Sequence, residues 1–448
     1  MNFIFGPLYV IYRSFSGARH WVRRRLTRVG RVILVSWLVT GMMGFDTDNS
    51  VAYQGFTVLF SLLVVGLFFL PLFRAQFAVT RALPRFATVG QPFSYRVTVT
   101  NLTGKPQPGL TLLENLADTR PRFAEWKALQ IDDEKHVRHF RFSNRRRFNP
   151  FKFAEVGEAP LPLIPPGQSA LGEIEMKPLR RGLIQFDGAT LARPDPLGVV
   201  RSFCRTRAPQ SVLVLPKRYS LPPLALPGSL KYQQGGVALA SNVGQSDEFV
   251  SLRDYRRGDP LRHIHWRSWA KTGKPIVREF EDEFFVRHAL VLDTFTERPF
   301  SAEFEEAVAV AASFACTVLT QESLLDLLFV GPQAYCYTAG RGLAHADHML
   351  EILASVRPCH DRKFSSLDEI VVNHASVVSG CILVLLHWDA ERKRLVEKLQ
   401  SLDLPVLVLL IRKSGDKTEP DAGPLADDPE RFIVLDIGQI EQQLARLG

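Results

Sequence analysis

The chain has 448 residues, with 55 Lys and Arg against 46 Asp and Glu, a formal charge of +9 and an apolar fraction of 46%. This composition leaves room for two or three domains with substantial cores and excludes the disordered and fibrous classes. Seven of the nine excess charges are Arg13, Arg19, Arg23, Arg24, Arg25, Arg28 and Arg31, in a first 45 residues that contain no acid; the remainder has no basic stripe for phosphates, which argues against nucleic acid as a partner.

Residues 1–28 read as a basic cytoplasmic tail and 29–74 as a transmembrane hairpin. Val51 to Phe73 is 23 uncharged residues closed by Arg74, enough to cross a hydrocarbon layer of about 30 Å. The upstream run Val32 to Phe45 spans 14 residues, about 21 Å as a helix, so it crosses only if Arg31 snorkels and the helix extends back toward Trp21. A re-entrant or interfacial helix there would instead export the later domains. Arginines before the first run, Asp46-Thr47-Asp48 between the two, and Arg74, Arg81 and Arg85 after the second fit a hairpin in an inner (plasma) membrane with both ends in the cytoplasm. The late apolar run without a cleavage site argues against a signal peptide.

Residues 75–216 alternate with period two, as in Phe93, Tyr95, Val97 and Val99, with further strand-like runs at Leu183 to Phe186 and Val212 to Leu215. Turn signals at Asn101 to Gly104, Pro165-Pro166-Gly167 and Asp195-Pro196-Leu197-Gly198 separate such runs, so the segment reads as an all-β sandwich. Residues 217–246, rich in Pro, Gly and small side chains, read as a linker.

Residues 247–284 differ in kind. Asp247 to Glu283 holds eight Lys or Arg, eight Asp or Glu, His263, His265, Trp266 and Trp269, a balance that predicts a half-buried, internally paired segment. In it Arg253, Arg256, Arg262, Arg267 and Arg278 would pair with Asp254, Asp259, Glu279 and Glu281, with His265 and Trp266 packed between the sandwich and the following sheet. Two other readings stand beside this one. His265 with Asp254 and Asp259 would form the acid/base cluster of a hydrolase or ligand-binding enzyme, and the arginines, Arg257 included, would converge on an anion. His263-x-His265 and His136-x-x-His139 supply two ligands each, too few for zinc. Arg145-Arg146-Arg147 reads as a solvated loop that would touch anionic lipid if it lay near a bilayer.

From 285 to 448 the rhythm is strand, helix, strand, helix. Ala289 to Leu292, Leu324 to Val330, Cys381 to Leu386, Pro405 to Ile411 and Phe432 to Leu435 are apolar strands. Phe304 to Leu319, Leu343 to Val356 and Ala390 to Leu402 have helical spacing, and Ser366-Leu367-Asp368-Glu369 has the form of a capping box. The alternation predicts a mostly parallel sheet with helices on both faces. Cys204, Cys316, Cys336, Cys359 and Cys381 lack a C-x-x-C pair and read as small core residues of a reducing compartment.

The order Glu248-Phe249, Arg253, Asp254, Tyr255, Gly258-Asp259, Arg262, Ile264-His265-Trp266, Lys271 and Arg278-Glu279 resembles the signature of the bacterial domain-of-unknown-function family 58. Arg180-Arg181-Gly182 and Asp195-Pro196-Leu197-Gly198 resemble landmarks of the same family. The resemblance implies a multidomain membrane protein: transmembrane hairpin, β-sandwich, signature segment and an α/β von Willebrand factor A-like domain. It also implies a docking or adaptor role beside a MoxR-type AAA+ ATPase, without a cofactor. Many von Willebrand A domains carry Asp-x-Ser-x-Ser after their first strand; here the register is Asp293-Thr294-Phe295-Thr296-Glu297, and Phe295 offers no oxygen to a hard cation. The site at Asp293 is degenerate, and no metal is expected.

Overall fold

The computed structural model describes residues 2–43, 50–118, 120–127, 130, 152–222, 249–257, 259, 261, 264–280, 287–298, 301–320, 324–339, 343–413 and 420–447. The chain forms two units, one built on Met1–Lys217 and the other on Arg218–Glu297 with Ser301–Gly448.

The first unit begins with three helices: α1 (Asn2–Arg25), α2 (Arg28–Met43) and α3 (Ser50–Phe68). The expected tail is thus helical along most of its length. One helix among the described residues is long and apolar enough to cross a membrane, through Val51–Leu72, and almost none of it is buried. The 16 residues of α2 reach about 24 Å, short of a full span. It packs on α3 through Trp37, stacked on Phe56 at 5.5 Å and Phe60 at 5.9 Å. Asp46-Thr47-Asp48 lies outside the described residues.

Among the described residues nine strands follow in two sheets. One has the order β1 (Phe77–Ala82), β3 (Phe93–Asn101), β7 (Ser169–Pro178), β5 (Ala154–Val156). The other runs β2 (Phe86–Thr88), β9 (Arg201–Leu215), β8 (Gly182–Pro194), β4 (Thr111–Leu116), β6 (Ala159–Pro160). Tyr95, Val97 and Val99 of β3 share one core with Leu112, Phe186, Leu191 and Val212 of the second sheet, so the two sheets face each other as the alternation predicts. A buried ion pair ties them: the Arg81 guanidinium of β1 donates to the Glu114 carboxylate of β4 at 2.8 Å. Asn101 is fully buried, its amide donating to the carbonyls of Lys105 and Ile164.

The turn Asp195-Pro196-Leu197-Gly198 joins this sandwich to the helices. Gly198 takes a left-handed φ of 68°, and the Asp195 carboxylate accepts from the Val200 N–H at 2.8 Å. Leu26, between α1 and α2, bridges Val200, and Thr27 donates through its N–H to Val199. Leu26, Val199 and Val200 bury a small apolar cluster against Val22, Ile33, Leu34, Leu63 and Leu70. Gly30 is required here, because a Cβ would lie 2.0 Å from the Val199 carbonyl oxygen.

The second unit starts inside the expected linker. The Tyr219 N–H donates to Ser313 at 2.7 Å and its hydroxyl to Glu306 at 2.5 Å, which fastens this end to α5 (Ala302–Thr320). Residues 223–246 lie outside the described set. The main sheet has the order β14 (Ala334–Ala339), β13 (Leu324–Val330), β12 (Arg287–Leu292), β15 (Gly380–Leu385), β16 (Val406–Arg412), β17 (Phe432–Asp436). All pairs are parallel except β13 with β14. The strand β14 was not expected, because Ala-Tyr-Cys-Tyr-Thr-Ala alternates on an edge rather than running apolar; its Cys336 is exposed, which corrects the reading of all five cysteines as core.

Helices α6 (Leu343–Ser355), α7 (Ser365–His374) and α8 (Ala390–Ser401) fall where spacing predicts, and α9 (Ile440–Leu444) closes the unit. The capping box at Ser366 is not formed. Buried Phe364 occupies the cap position of α7, and its carbonyl takes the N–H groups of Leu367 and Asp368. The side-chain cap belongs instead to Asp389, which accepts from Arg392 N at 3.0 Å.

Candidate functional site

The signature residues fold as a strand, helix, strand module. The strand β10 (Phe249–Asp254) pairs antiparallel with β11 (Ile276–Phe280), Arg253 opposite Val277 and Asp254 opposite Ile276. Ile264 bridges Val277, both buried, and the His265 N–H donates to the Ile276 carbonyl at 2.8 Å. That bond sets the start of a seven-residue helix, Trp266–Thr272, which ends on Gly273 at φ 70°. A left-handed residue there turns the chain back into β11 without a Cβ penalty.

Arg253 grips Asp259 with two nitrogens, at 2.7 and 2.9 Å, and the Arg256 N–H adds a third bond at 2.8 Å. The hydrogen bond from Arg253, then that from Arg256, hold the Asp259 carboxyl down at about 2. His265 Nδ1 lies 2.6 Å from the Ser268 hydroxyl. No hydrogen bond joins His265 to Asp254 or Asp259 among the described residues, so the structure does not assemble the acid/base cluster.

Trp266 stacks on Trp269 at 5.2 Å and is 64% exposed. It is not packed away as expected, because Ile264, not Trp266, carries the module's buried contact. In the same module Arg256, Arg257, Arg267, Lys271, Lys274 and Arg278 are exposed, as is Asp254, while Tyr255 is half-buried. Of the expected pairs, Arg253 with Asp259 is the one that forms among the described residues. Glu248, Gly258, Arg262, His263, Glu281, His136, His139 and Arg145 to Arg147 lie outside the described residues, and Phe249 and Glu279 are described only as strand backbone.

The degenerate metal position is occupied by the chain itself. In a doubly wound sheet the crevice lies at the carboxyl ends of the strands where the order reverses, here between β12 and β15. The fully buried Asp293 follows β12, accepts from the N–H groups of Phe295 and Leu386, and pairs with Arg392 Nε at 2.7 Å. Arg392 is itself buried, lies 4.5 Å from the Phe364 ring centroid and also pairs with Asp389. Thr294 donates its hydroxyl to the Val330 carbonyl. These residues do not fit a divalent cation: Arg392 supplies the positive charge. Among the described residues no group of three or more His, Cys, Asp and Glu is placed to hold a metal.

The model of the family described as "Protein of unknown function DUF58" matches residues 251–446, from the module to the last helix. Residues 251–446 of the chain are thus similar to the DUF58 family. The uncharacterized protein YeaD of Bacillus subtilis is 27% identical over 184 residues, which cover 40% of this chain and 44% of that protein; the chain therefore spans less than half the length of the curated relative it matches. The CARDB domain of PF1109 from Pyrococcus furiosus is 13% identical, with 31% of this chain and 93% of that one covered and a TM-score of 0.16. Escherichia coli alpha-2-macroglobulin is 16% identical over 37% of this chain and 8% of that one, with a TM-score of 0.20. Neither structural likeness carries an argument.

The DUF58 region holds a second buried charge cluster. Arg287, opening β12, donates to both oxygens of Asp326 in β13 at 2.6 and 3.0 Å, and His374 at the end of α7 reaches the same carboxylate at 2.6 Å. Burial acts to raise the Asp326 carboxyl, but the bonds from His374 and Arg287 outweigh it and hold it below the usual value. Sequence reasoning missed this cluster and Arg392, although both left signals. Asp326 is a lone charge in an apolar strand, and a buried charge requires a partner. Arg392 sits with Leu395, Val396 and Leu399 on the buried face of α8, at the helical spacing of a core position.

Proposed function

We propose that this DUF58 protein is a membrane-anchored, cytoplasm-facing docking protein without a reaction of its own, in which the signature module receives a partner. Within this reading α2 and α3 form the hairpin anchor, and the main sheet is von Willebrand A-like with its cation replaced by Arg392. The observation that carries the reading is the exposed Trp266 stacked on the half-buried Trp269 of a short helix, in a module with several exposed basic side chains. Tryptophan and arginine are the side chains on which binding energy concentrates. The rival hydrolase reading is weakened by Asp259, because a carboxylate clamped by Arg253 and held at about 2 is a poor base near neutral pH. The partner proposed is a MoxR-type AAA+ ATPase, on the family resemblance.

The test is affinity capture of the full chain from native membranes with and without ATP, wild type against Trp266→Ala. A nucleotide-dependent AAA+ ATPase that the variant loses is the expected result. A variant that stays folded and retains the ATPase overturns the role of the module, and absence of any ATPase from the wild type overturns the choice of partner.

A further inference from the structure

We propose that α1 is an interfacial helix whose exposed apolar face lies on an anionic bilayer surface, so that the sandwich is held against the membrane as well as tethered to it. This rests on the reading of α3 as a membrane anchor, and the test below separates the two.

One face of α1 is already used. Phe5, Tyr9 and Tyr12 pack around Trp126, with ring centroids at 6.3, 5.5 and 5.8 Å, and the Tyr9 hydroxyl donates to the Pro121 carbonyl at 2.8 Å. At the other end Arg24 donates to the Asn115 side chain at 2.8 Å, and Arg25 lies 4.0 Å from the Phe203 ring centroid. The helix is therefore fixed in rotation, and lipid cannot surround it.

Among the described residues the opposite face is apolar and uncovered along residues 7–21. Leu8, Val10, Ile11, Phe15 and Trp21 are 46, 62, 63, 73 and 46% exposed. At 100° per residue they fall within a sector of roughly 160° that, over residues 5–21, also holds Pro7, Ala18 and one polar residue, Ser14; beyond it the same sector turns to the unit, with Val22 in the Leu26 cluster and Arg25 on Phe203. Arg13 flanks this sector on one side and Arg19 on the other, and both are exposed. An apolar stripe edged by arginine is the pattern of a helix lying in the headgroup region.

Two observations select lipid over a protein partner. The stripe is continuous with the anchor, because α1 ends at the Leu26 cluster that also takes Leu63 and Leu70. The first 45 residues have seven arginines and no acid, which matches an anionic leaflet that attracts each nearby basic side chain. The arginines at the sector's edges reach phosphates while their stems cover apolar surface.

The experiment uses the full chain carrying Cys336→Ser, labelled with an environment-sensitive fluorophore at Phe15→Cys, at Ile11→Cys or, as a control, at Glu173→Cys on β7. It is reconstituted into phosphatidylcholine vesicles with and without phosphatidylglycerol, with spin-labelled lipids as quenchers. The expected result is a blue shift and shallow-depth quenching at positions 11 and 15, stronger with phosphatidylglycerol, and neither at 173. A protein that floats with vesicles and resists alkaline extraction while both α1 labels remain water-like overturns this inference and leaves the anchor intact. Equal quenching in neutral vesicles overturns the anionic selectivity. Loss of flotation altogether overturns the anchor reading.

Discussion

Arg392→Ala tests the reading of the Asp293 crevice most severely. The Arg392 and Asp293 side chains are 5% and 0% exposed, so the mutation leaves a carboxylate in the interior with two backbone N–H partners and no counter-charge. Breaking one partner of a buried pair costs about 3–5 kcal/mol. Each kcal/mol lowers the melting temperature by about 2–4 °C for a unit of 150–250 residues, so a drop of roughly 6–20 °C is expected. The assay is thermal unfolding of the full-length protein in detergent, followed by calorimetry. Asp293→Asn, which keeps an acceptor and leaves Arg392 its bond to Asp389, should cost less. The double variant should fall short of the sum, with a coupling of about 0.5–3 kcal/mol. A loss below about 1 kcal/mol for Arg392→Ala, the size of an exposed pair, would refute the internal-cation argument. So would a large Mg²⁺-dependent rise in melting temperature that Asp293→Ala abolishes.

Four further outcomes are expected. The Asp259 carboxyl should titrate near 2 by carbon-detected NMR and move up toward about 3.9 in Arg253→Ala; an unmoved midpoint would remove the clamp from the account. Asp326 is held below its ordinary value, so its contribution is fully present above the unfolded value of about 3.9 and disappears as pH falls through the folded one. The acid midpoint of unfolding should therefore lose part of its steepness in Asp326→Asn, and an unchanged acid limb would contradict this. Gly30→Ala should weaken the join of α2 to the turn at Val199, read as faster proteolysis between α1 and β1, since the carbonyl 2.0 Å away is backbone and cannot swing aside. Trp266→Ala should change the melting temperature by less than about 2 °C, because its ring is largely in water; a large loss would mean that the module uses it as core.

The strands were legible because their burial is one-sided or complete. Val97 and Val99 alternate with polar neighbours, and Leu290 to Leu292 run apolar, as a central parallel strand must. The edge strand β14 escaped because neither pattern applies to an exposed hairpin partner. The helical state of residues 2–25 was hidden by arginines that read as a tail; its anchor is Trp126, more than a hundred residues away, and such a contact has no local signature. At the module, the spacing marked which residues belong together but not their roles. Arg253 and Asp259 are six apart and meet because the chain turns between them, the Asp259 N–H donating to the Arg256 carbonyl. Trp266 and Trp269, three apart on one helical turn, stack on each other with Trp266 largely in water instead of filling a core.

Asp293 and Asp259 are closed by arginine in different ways, and the difference bears on where a partner would bind. At Asp293 the arginine is buried, capped by Asp389 and laid on Phe364, so every polar atom that a cation or a ligand would need is already spent inside the fold. At Asp259 the clamp is partly open to solvent, and the residues beyond it, Arg256, Arg257, Arg267 and Lys271, face outward. A sheet that satisfies its own crevice in this way leaves no open group there for a ligand, and a docking partner would be received on a surface with exposed groups. The stacked tryptophans supply apolar area at little cost in side-chain freedom, and the exposed basic side chains of the module supply steering that weakens with salt. A docking interaction at this module should therefore lose association rate as ionic strength rises, whereas its dissociation should respond to Trp266→Ala; a salt-independent association would place the contact elsewhere.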